Sequence, residues 1–345
     1  MDESRPSQNG GDLSPSSFDP DGAAEGDGLF GLPNSIEDAR VVVLPLPFEA
    51  TVSYRRGTAS APAAIRRASG QVDLWDFETG SPWEAGIAMA AIDPLITRLN
   101  VTACRDAARS RVGGDGGHAA RKRVDDAGAS LNELVDEWTT SQLETQRIPA
   151  VVGGDHAVAL GAMRAAVRCY PGLGFLQIDA HADLRESYEG LMWSHASIIH
   201  NLLNQPGPGP VVQVGVRDQC DFERRRASED PRIHQWLDPV LADALAKGVT
   251  WQTLIEQVLK PLPERVWITF DVDGLDPALC PGTGTPVPGG LSWREATVLL
   301  ATLGRSGRKI VGFDLCEVGC GEWDAIVGAR LLYKMAGWAI VTATG

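Results

Sequence analysis

Ionisable side chains are concentrated in three short segments of the sequence, and each segment directly follows an apolar run. The segments read GGDH at 153–156, DAHAD at 179–183 and DVD at 271–273, and Glu317 follows a fourth apolar run. Carboxylates crowded into one crevice repel one another, and their pKa values rise unless positive charge compensates. Because Arg185 is the only basic residue directly beside these segments, a metal site is the simplest source of that charge.

The number of candidate ligands indicates two metal ions rather than one. Six ligands exceed the three or four of a tetrahedral zinc site, and they suit a pair of divalent ions that share bridging carboxylates. Imidazole and carboxylate without thiolate favour Mn²⁺ or a similar first-row ion, and Ni²⁺, Co²⁺ and Fe²⁺ stay open. The candidate ligands are His156, Asp179, His181, Asp183, Asp271 and Asp273.

The elements that must position these groups alternate along the chain. Apolar runs predict strands at 40–46, 86–92, 149–152, 173–178, 211–216, 265–270 and 309–314. Helical patterns predict helices at 61–68, 126–146, 157–168, 196–203, 251–259, 293–303 and 323–335. This alternation predicts a three-layer α/β fold with a mostly parallel sheet and helices on both faces. In such sheets functional groups collect past the carboxyl ends of the strands, so the segments should face one side.

Composition predicts the structure of the remaining parts of the chain. Residues 1–28 are rich in Ser, Pro, Gly and Asp, which predicts a disordered or loosely docked acidic tail. Residues 29–345 are predicted to form a single domain. The segment 111–117 together with Lys122 combines glycines with mixed charges and is predicted to be a surface loop.

The overall charge and hydropathy limit the partners. The chain has 345 residues and a net charge of −14, which argues against a nucleic-acid partner because phosphate contacts need clustered Lys and Arg. No apolar run approaches the roughly 18–20 residues that span a bilayer, and the N-terminus lacks the apolar segment of a secretory signal. The six scattered cysteines indicate reduced thiols. We therefore expect a cytoplasmic protein without a membrane or nucleic-acid partner.

The motifs together resemble those of the ureohydrolases, the family of arginases, agmatinases, guanidinases and formiminoglutamases. The resemblance is carried by GGDH, DAHAD and FDVDGLDPALCPGTGTPVPGG at 270–290. PFEATVSYRRGTASAPAAIRRAS at 47–69 is similar to the N-terminal part of the agmatinase branch. The resemblance covers residue 29 to the C-terminus, and it implies a ureohydrolase catalytic domain with an arginase- or deacetylase-like fold.

The resemblance also implies which residues hold the two ions. One ion would be held by His156, Asp179, Asp183 and Asp271, and the other by His181, Asp179, Asp271 and Asp273. Asp179 and Asp271 would therefore bridge. Mn²⁺ and Ni²⁺ are the two ions that this family resemblance favours.

Roles in the reaction follow from the same resemblance. It implies that water attacks the carbon of a small cationic guanidino substrate and that urea is released with an amine or ammonia. Asp183 would carry the proton to the leaving nitrogen. Glu317 would bind the guanidinium, which a carboxylate can accept through paired N–H groups. His195 would contact the substrate or shuttle protons.

The loop between the second ligand segment and His195 bears on the choice of substrate. The loop LRESYEGLMW at 184–193 is similar to agmatinases rather than arginases. The bulky Trp193 could shrink the pocket and bind a small cation on its ring face. This favours a compact substrate such as guanidine, an alkylguanidine or dimethylbiguanide, with agmatine as the alternative and formiminoglutamate behind both. Gly319-Cys320 and Ala196 depart from the family pattern where the substrate is chosen.

Two other classes of protein stay open as alternatives. A deacetylase would need one zinc and a pair of adjacent histidines, and no two histidines are adjacent here. A regulatory subunit of a hetero-oligomer would have lost ligands, and this chain retains all six. By resemblance we expect a homo-oligomer, a trimer or hexamer.

Overall fold

Eight strands pair side by side in one parallel sheet within the residues that the computed structural model describes, 18–24, 26–112 and 114–344. The strands are β1 Val41–Leu46, β2 Ile87–Met89, β3 Ile148–Gly153, β4 Gly174–Ile178, β5 Val211–Val214, β6 Ile233–Trp236, β7 Arg265–Asp271 and β8 Lys309–Cys316. Their order across the sheet is β2-β1-β3-β8-β7-β4-β5-β6. Every pairing is parallel. The predicted parallel sheet is confirmed.

Helices cover both faces of this sheet, because successive side chains of each strand point to opposite faces. Along β7, Ile268 and Phe270 join the core on one face, whereas Trp267 joins the core on the other. Helices α1 and α7–α10 pack on the first face, and α2–α6 pack on the second. The helices are α1 Ala61–Ser69, α2 Pro94–Ser110, α3 Gly114–Glu144, α4 Leu160–Cys169, α5 Ile198–Leu203, α6 Asp221–Glu229, α7 Asp238–Ala246, α8 Trp251–Leu259, α9 Trp293–Arg305 and α10 Glu322–Thr344.

Helix α10 is long and apolar enough, by length and composition, to cross a membrane. The sequence analysis did not find a run of this length, because Arg330 and Lys334 interrupt its apolar residues. In the folded chain, 78% of its 18-residue apolar window is buried. The helix is buried among α1, α9 and β8, and this burial explains why it is as apolar as the core helix of a folded domain.

Helix α3 occupies most of the segment predicted to be a surface loop. The prediction for 111–117 is wrong from its fourth residue onward, since α3 begins there, and Lys122 lies inside the same helix. Gly113 lies outside the described residues. The neighbouring Arg123 of α3 joins this helix to α2, since it donates to Asp106 at 2.8 and 2.9 Å. The sequence analysis also missed α2, α6, α7 and β6.

Phe18, the first residue that the structure describes, already packs against the core. The Phe18 ring packs against Trp83, with ring centroids 5.5 Å apart. Residues 1–17 and 25 lie outside the described residues, so the acidic tail and the boundary at residue 29 stay predictions.

Gly161 of α4 lies where α3 and α4 cross, and an added Cβ would come within 2.4 Å of the Asn132 carbonyl oxygen of α3. A backbone oxygen cannot swing aside, so we expect Gly161→Ala to destabilise the fold by about 1–3 kcal/mol through overpacking. Gly116 of α3 is exposed, and no described atom lies within 4 Å of a Cβ added there.

Gly116→Ala is therefore the matched control, and it should stabilise by up to about 1 kcal/mol because Ala forms helix better than Gly. Denaturant unfolding of both variants measures the two effects. Wild-type stability of Gly161→Ala would contradict this tight helix crossing.

Candidate metal centre

The four central strands, β3, β8, β7 and β4, bring the predicted site segments to one edge of the sheet. Because these strands are parallel neighbours, their carboxyl ends lie together, and each is followed by one segment. Hydrogen bonds at this edge join residues that are far apart in the sequence. The His156 N–H, for example, donates to a Glu317 carboxylate oxygen at 3.0 Å although 161 positions separate them.

The first group of ligands surrounds His156, which follows β3 in a short 3-10 turn. Its Nδ1 lies 3.2 Å from Asp179 Oδ2, 3.2 Å from Asp183 Oδ2 and 3.4 Å from Asp271 Oδ2. All four residues are buried. One imidazole nitrogen thus faces three carboxylates, as a cation site of mixed imidazole and carboxylate ligands requires.

The second group contains Asp179, His181 and Asp273, whose ligand atoms lie within 4.8 Å of one another. His181 Nδ1 is 3.1 Å from Asp273 Oδ2 and 3.6 Å from Asp179 Oδ1. Asp179 therefore turns one oxygen to each group, and it would be shared between the two ions if each group held one. Asp271 contacts the first group through Oδ2, and its Oδ1 accepts from the Asp273 N–H at 2.9 Å.

Two buried ligand atoms support the presence of a cation. Among the described residues, neither His156 Nδ1 nor Asp183 Oδ2 has a hydrogen-bond partner. A buried polar atom left unpaired costs about 1–3 kcal/mol. A divalent ion bound between these atoms would remove that cost, so the residues fit a metal.

The charges of the cluster shift the pKa values of its members strongly. Burial, together with the charge of Asp179, raises the pKa of Asp183 to about 7. Burial and the neighbouring Asp273 raise the pKa of Asp271 well above its usual value. Burial opposes protonation of His181, yet Asp273 and Asp179 raise its pKa to about 12. The cluster therefore needs positive charge to stay ionised, and divalent metal ions can supply it.

A buried chain of hydrogen bonds orients His156 from behind. Thr269 donates its hydroxyl to Asp314 at 2.9 Å, and Trp267 donates its indole N–H to the same carboxylate at 2.7 Å. The Thr269 oxygen lies 2.8 Å from His156 Nε2 and, because its own hydrogen goes to Asp314, accepts a hydrogen bond from the Nε2–H. The Nδ1 lone pair of His156 is then directed at the cluster, as a metal ligand requires.

Glu317 lies beside the cluster in a left-handed backbone conformation, with φ of +60°. One carboxylate oxygen accepts the bond from His156, and the other has no partner among the described residues. Gly284 packs closely here, since a Cβ added to it would lie 3.0 Å from this second oxygen. Burial raises the pKa of Glu317 well above its usual value.

A cavity of about 270 Å³ opens over the second group. This volume is near the lower end of small-molecule sites, which span about 300–1,000 Å³. His181, Asp183 and His195 lie on its wall. The other lining residues are Ser53, Tyr54, Arg185, Tyr188, Ala196, Asp218, Glu223, Thr285, Pro286 and Val287.

His195 contributes a neutral imidazole to the cavity wall. Burial, with the positive charge of His181 and His156, lowers the pKa of His195 to about 3. Its Nδ1 lies 3.2 Å from the Thr51 hydroxyl oxygen, and its ring stacks edge-on against Tyr188 at 5.8 Å. A neutral imidazole can accept a proton from a reacting group.

Trp193 does not lie on the cavity wall, contrary to the prediction that it narrows the pocket. Its side chain packs against α3, where a Cβ added to Gly128 would come within 2.9 Å of the Trp193 Cβ. The aromatic residues of the wall are Tyr54 and Tyr188. The position of this side chain just before His195 depends on how α3 packs, which the local sequence does not report.

The sequence analysis did not single out several residues of the site, although Thr51, Tyr54 and Thr285 lie in the segments that carry the family resemblance. Tyr54, Asp218 and Thr285 line the cavity, but their segments carry no pattern of ligand spacing. Asp314 had a weak signal, a carboxylate within an apolar strand. No local pattern pointed to a role for Thr51, since its contacts join segments that lie 104 and 144 residues away.

The shared position of Asp179 predicts different metal losses in two variants. Asp179→Asn should lose both ions, because each group uses one oxygen of this carboxylate. Asp273→Asn should lose only the ion of the His181 group. Metal content after dialysis measures both, with the exposed Asp126→Asn as control. Retention of two ions by Asp179→Asn would contradict the bridging geometry.

The shifted pKa values predict that metal affinity weakens as pH falls. Below a pKa of about 12, His181 holds a proton in the metal-free site, and Asp183 does so below about 7. Metal binding must expel these protons, so affinity should drop between pH 8 and 6. Calorimetry in buffers of different ionisation enthalpy measures the released protons. Release of no protons at pH 7 would show that the site is not protonated.

Comparison with known proteins identifies the family of this chain. The Arginase family profile matches residues 39–336. N(1)-aminopropylagmatine ureohydrolase of Synechocystis sp. is 30% identical over 309 residues, which are 88% of this chain and 90% of that protein. Agmatinase of Bacillus cereus is 31% identical over 285 residues, which are 82% of this chain and 85% of that protein.

Solved structures share the fold. The agmatine ureohydrolase of Thermoplasma volcanium superposes with a TM-score of 0.69 at 26% identity, covering 94% of this chain and 96% of that one. The predicted arginase-like fold and the family resemblance are confirmed. The chain belongs to the arginase family of ureohydrolases, metal-dependent hydrolases that cleave C–N bonds of guanidino compounds.

Proposed function

We propose that this ureohydrolase releases urea from a guanidino compound with a cationic tail, of the agmatine class. The observation that carries this proposal is the Asp218 carboxylate on the wall of the cavity beside the His/Asp cluster. Asp218 is exposed, and no described cationic side chain lies within ion-pair distance of it. A free carboxylate at this position would attract an ammonium group at the far end of the substrate.

We infer that the six His and Asp residues hold two divalent ions, Mn²⁺ or Ni²⁺, with Asp179 and Asp271 shared. When bound, such ions lower the pKa of water towards neutrality and so supply a hydroxide nucleophile. The protein's own groups orient the guanidinium. Glu317 offers its unpaired carboxylate oxygen to the substrate N–H groups.

Proton movement falls to Asp183 and His195 in this proposal. Water adds to the guanidinium carbon, the bond from that carbon to the substituted nitrogen breaks, and urea remains. The departing amine takes up a proton, and the buried Asp183 carboxyl delivers it. The neutral His195 imidazole on the cavity wall accepts a proton from the reacting groups.

The cavity wall suits a tail that is both apolar and cationic. Tyr54 and Tyr188 offer ring faces on which methylene groups and an ammonium can pack. The named relatives act, by their names, on agmatine and aminopropylagmatine, which supports the same substrate class. The compact-substrate hypothesis loses its main argument, since Trp193 packs against α3.

The presence of Arg185 on the cavity wall favours a compact substrate as the second candidate. This cationic side chain lies on the same wall and would repel an ammonium tail. Its charge is partly offset, because its Nε lies 3.5 Å from Glu223 and its guanidinium stacks on Tyr188 at 4.8 Å. Guanidine, alkylguanidines and dimethylbiguanide lack the tail and avoid this contact.

The family also suggests an assembly and a cellular location for this chain. Arginase-family proteins are typically oligomeric, and we propose a homo-oligomer, a trimer or hexamer, in the cytoplasm. A hetero-oligomer with a related subunit is the alternative. All six ligand positions are filled here, so this chain would be the active subunit of such an assembly.

The proposal is tested by urea release from agmatine, arginine, guanidine and dimethylbiguanide, with the purified chain loaded separately with Mn²⁺ or Ni²⁺. We expect the highest kcat/KM for agmatine. A higher kcat/KM for guanidine or dimethylbiguanide would favour the compact class instead. Urea from none of the four under either metal would overturn the proposed reaction.

Asp218→Asn separates the two substrate classes further. Removing the charge should raise KM for agmatine about three- to fivefold, because an exposed ion pair contributes up to about 1 kcal/mol. Guanidine has no ammonium tail, so its KM should not change, and it serves as the internal control. An unchanged KM for agmatine would remove Asp218 from substrate recognition.

A further inference from the structure

Thr51 lies at the end of a loop that is fixed against the first ligand segment. This loop follows β1, and its backbone accepts two bonds from the GGDH segment: the Gly154 N–H donates to Leu46 at 3.0 Å, and the Asp155 N–H donates to Phe48 at 2.9 Å. Gly154 permits this approach, since an added Cβ would lie 2.0 Å from the Phe48 oxygen. Thr51 itself is buried.

The Thr51 hydroxyl lies between a buried carboxylate and the imidazole of His195. Its Oγ1 is 2.8 Å from Asp155 Oδ2 and 3.2 Å from His195 Nδ1. The His195 backbone N–H also donates to this Oγ1, at 3.0 Å. One hydroxyl therefore contacts both the ring and the backbone of the same histidine.

The number of hydrogens that each group can donate fixes the direction of these hydrogen bonds. Asp155 Oδ2 accepts from the Thr51 backbone N–H at 2.8 Å, so this oxygen acts as an acceptor. The single hydrogen of the Thr51 hydroxyl is then donated to Asp155 Oδ2. The Oγ1 lone pairs remain, and they accept from the His195 backbone and from its Nδ1–H.

We propose that Thr51 is a positioning residue that sets the tautomer of His195. With the proton held on Nδ1, the Nε2 atom carries a lone pair and can accept a proton from a reacting group in the cavity. The inference rests on the proposed function, in which His195 is the proton acceptor on the cavity wall. It adds that the carboxylate–hydroxyl–imidazole arrangement of Asp155, Thr51 and His195 prepares His195 for that role.

Ser194 is the competing partner for the same nitrogen. Its Oγ lies 3.4 Å from His195 Nδ1, and it accepts the Ala196 N–H at 3.3 Å. The hydrogen of Ser194 could therefore be donated to Nδ1, which would produce the opposite tautomer. The shorter contact and the fixed bond to Asp155 favour Thr51.

The test compares Thr51→Val, which keeps the shape but removes the hydroxyl, with Thr51→Ser, which keeps the hydroxyl. Ser194→Ala removes the competing partner and is the matched control. We expect Thr51→Val to lower kcat for urea release about 10- to 100-fold with KM within twofold, below the roughly 10²–10⁴-fold of a complete acid–base group. Thr51→Ser should stay within about threefold of wild type, and Ser194→Ala should match it.

The tautomer itself is read by long-range ¹⁵N–¹H spectra of protein labelled with ¹⁵N-histidine, with His195→Asn assigning the resonance. Wild type and Thr51→Ser should show the Nδ1–H form, and Thr51→Val should lose it. An Nε2–H form in wild type overturns the inference even if Thr51→Val does not fold.

Equal kcat of Thr51→Val and wild type, or an equal loss in Ser194→Ala, also overturns the inference. Equal metal content and thermal unfolding of the variants exclude a merely structural effect. If wild type releases no urea, the proposed function fails, while the spectra still decide whether Thr51 sets the tautomer.

Discussion

The Asp179 carboxylate, buried between His156 and His181, is the interaction on which the rest of the site depends. Its two oxygens face the two ligand groups, so the groups cannot be moved apart without losing it. Asp183, Asp271 and Asp273 crowd round it and are also buried. Charges this dense are tolerated only with positive charge between them, and divalent ions supply that charge in this family.

The surrounding structure holds this cluster against its own repulsion. The backbone is left-handed at Asp183 and Glu317, with φ of +54° and +60°, a conformation that costs non-glycine residues energy and recurs at functional sites. The Asp314–Thr269 chain below His156 fixes the ring from behind. The fold therefore holds the ligand atoms in place with buried hydrogen bonds from the neighbouring strands β7 and β8.

Chemistry and selectivity are built from different parts of the chain. The candidate metal ligands lie at the ends of β3, β4 and β7, and Glu317 follows β8, so the sheet fixes the positions of all of them. The cavity wall instead comes from connecting loops, including Tyr54, Tyr188 and Asp218. Loops tolerate sequence change more readily than strands, which explains how one family applies a shared metal centre to different guanidino compounds.

The sequence by itself determined seven of the eight strands and the residue types of the candidate ligands, because apolar runs indicate strands and Asp and His residues clustered after such a run indicate a functional edge. Only the tertiary structure decided that Trp193 packs on α3, that Tyr54 and Asp218 line the cavity, and that Thr51 contacts His195. Such contacts join residues far apart in the chain, and their geometry depends on helix packing. The local sequence pattern carries no information about this geometry, so only the folded chain shows which residues form the cavity wall.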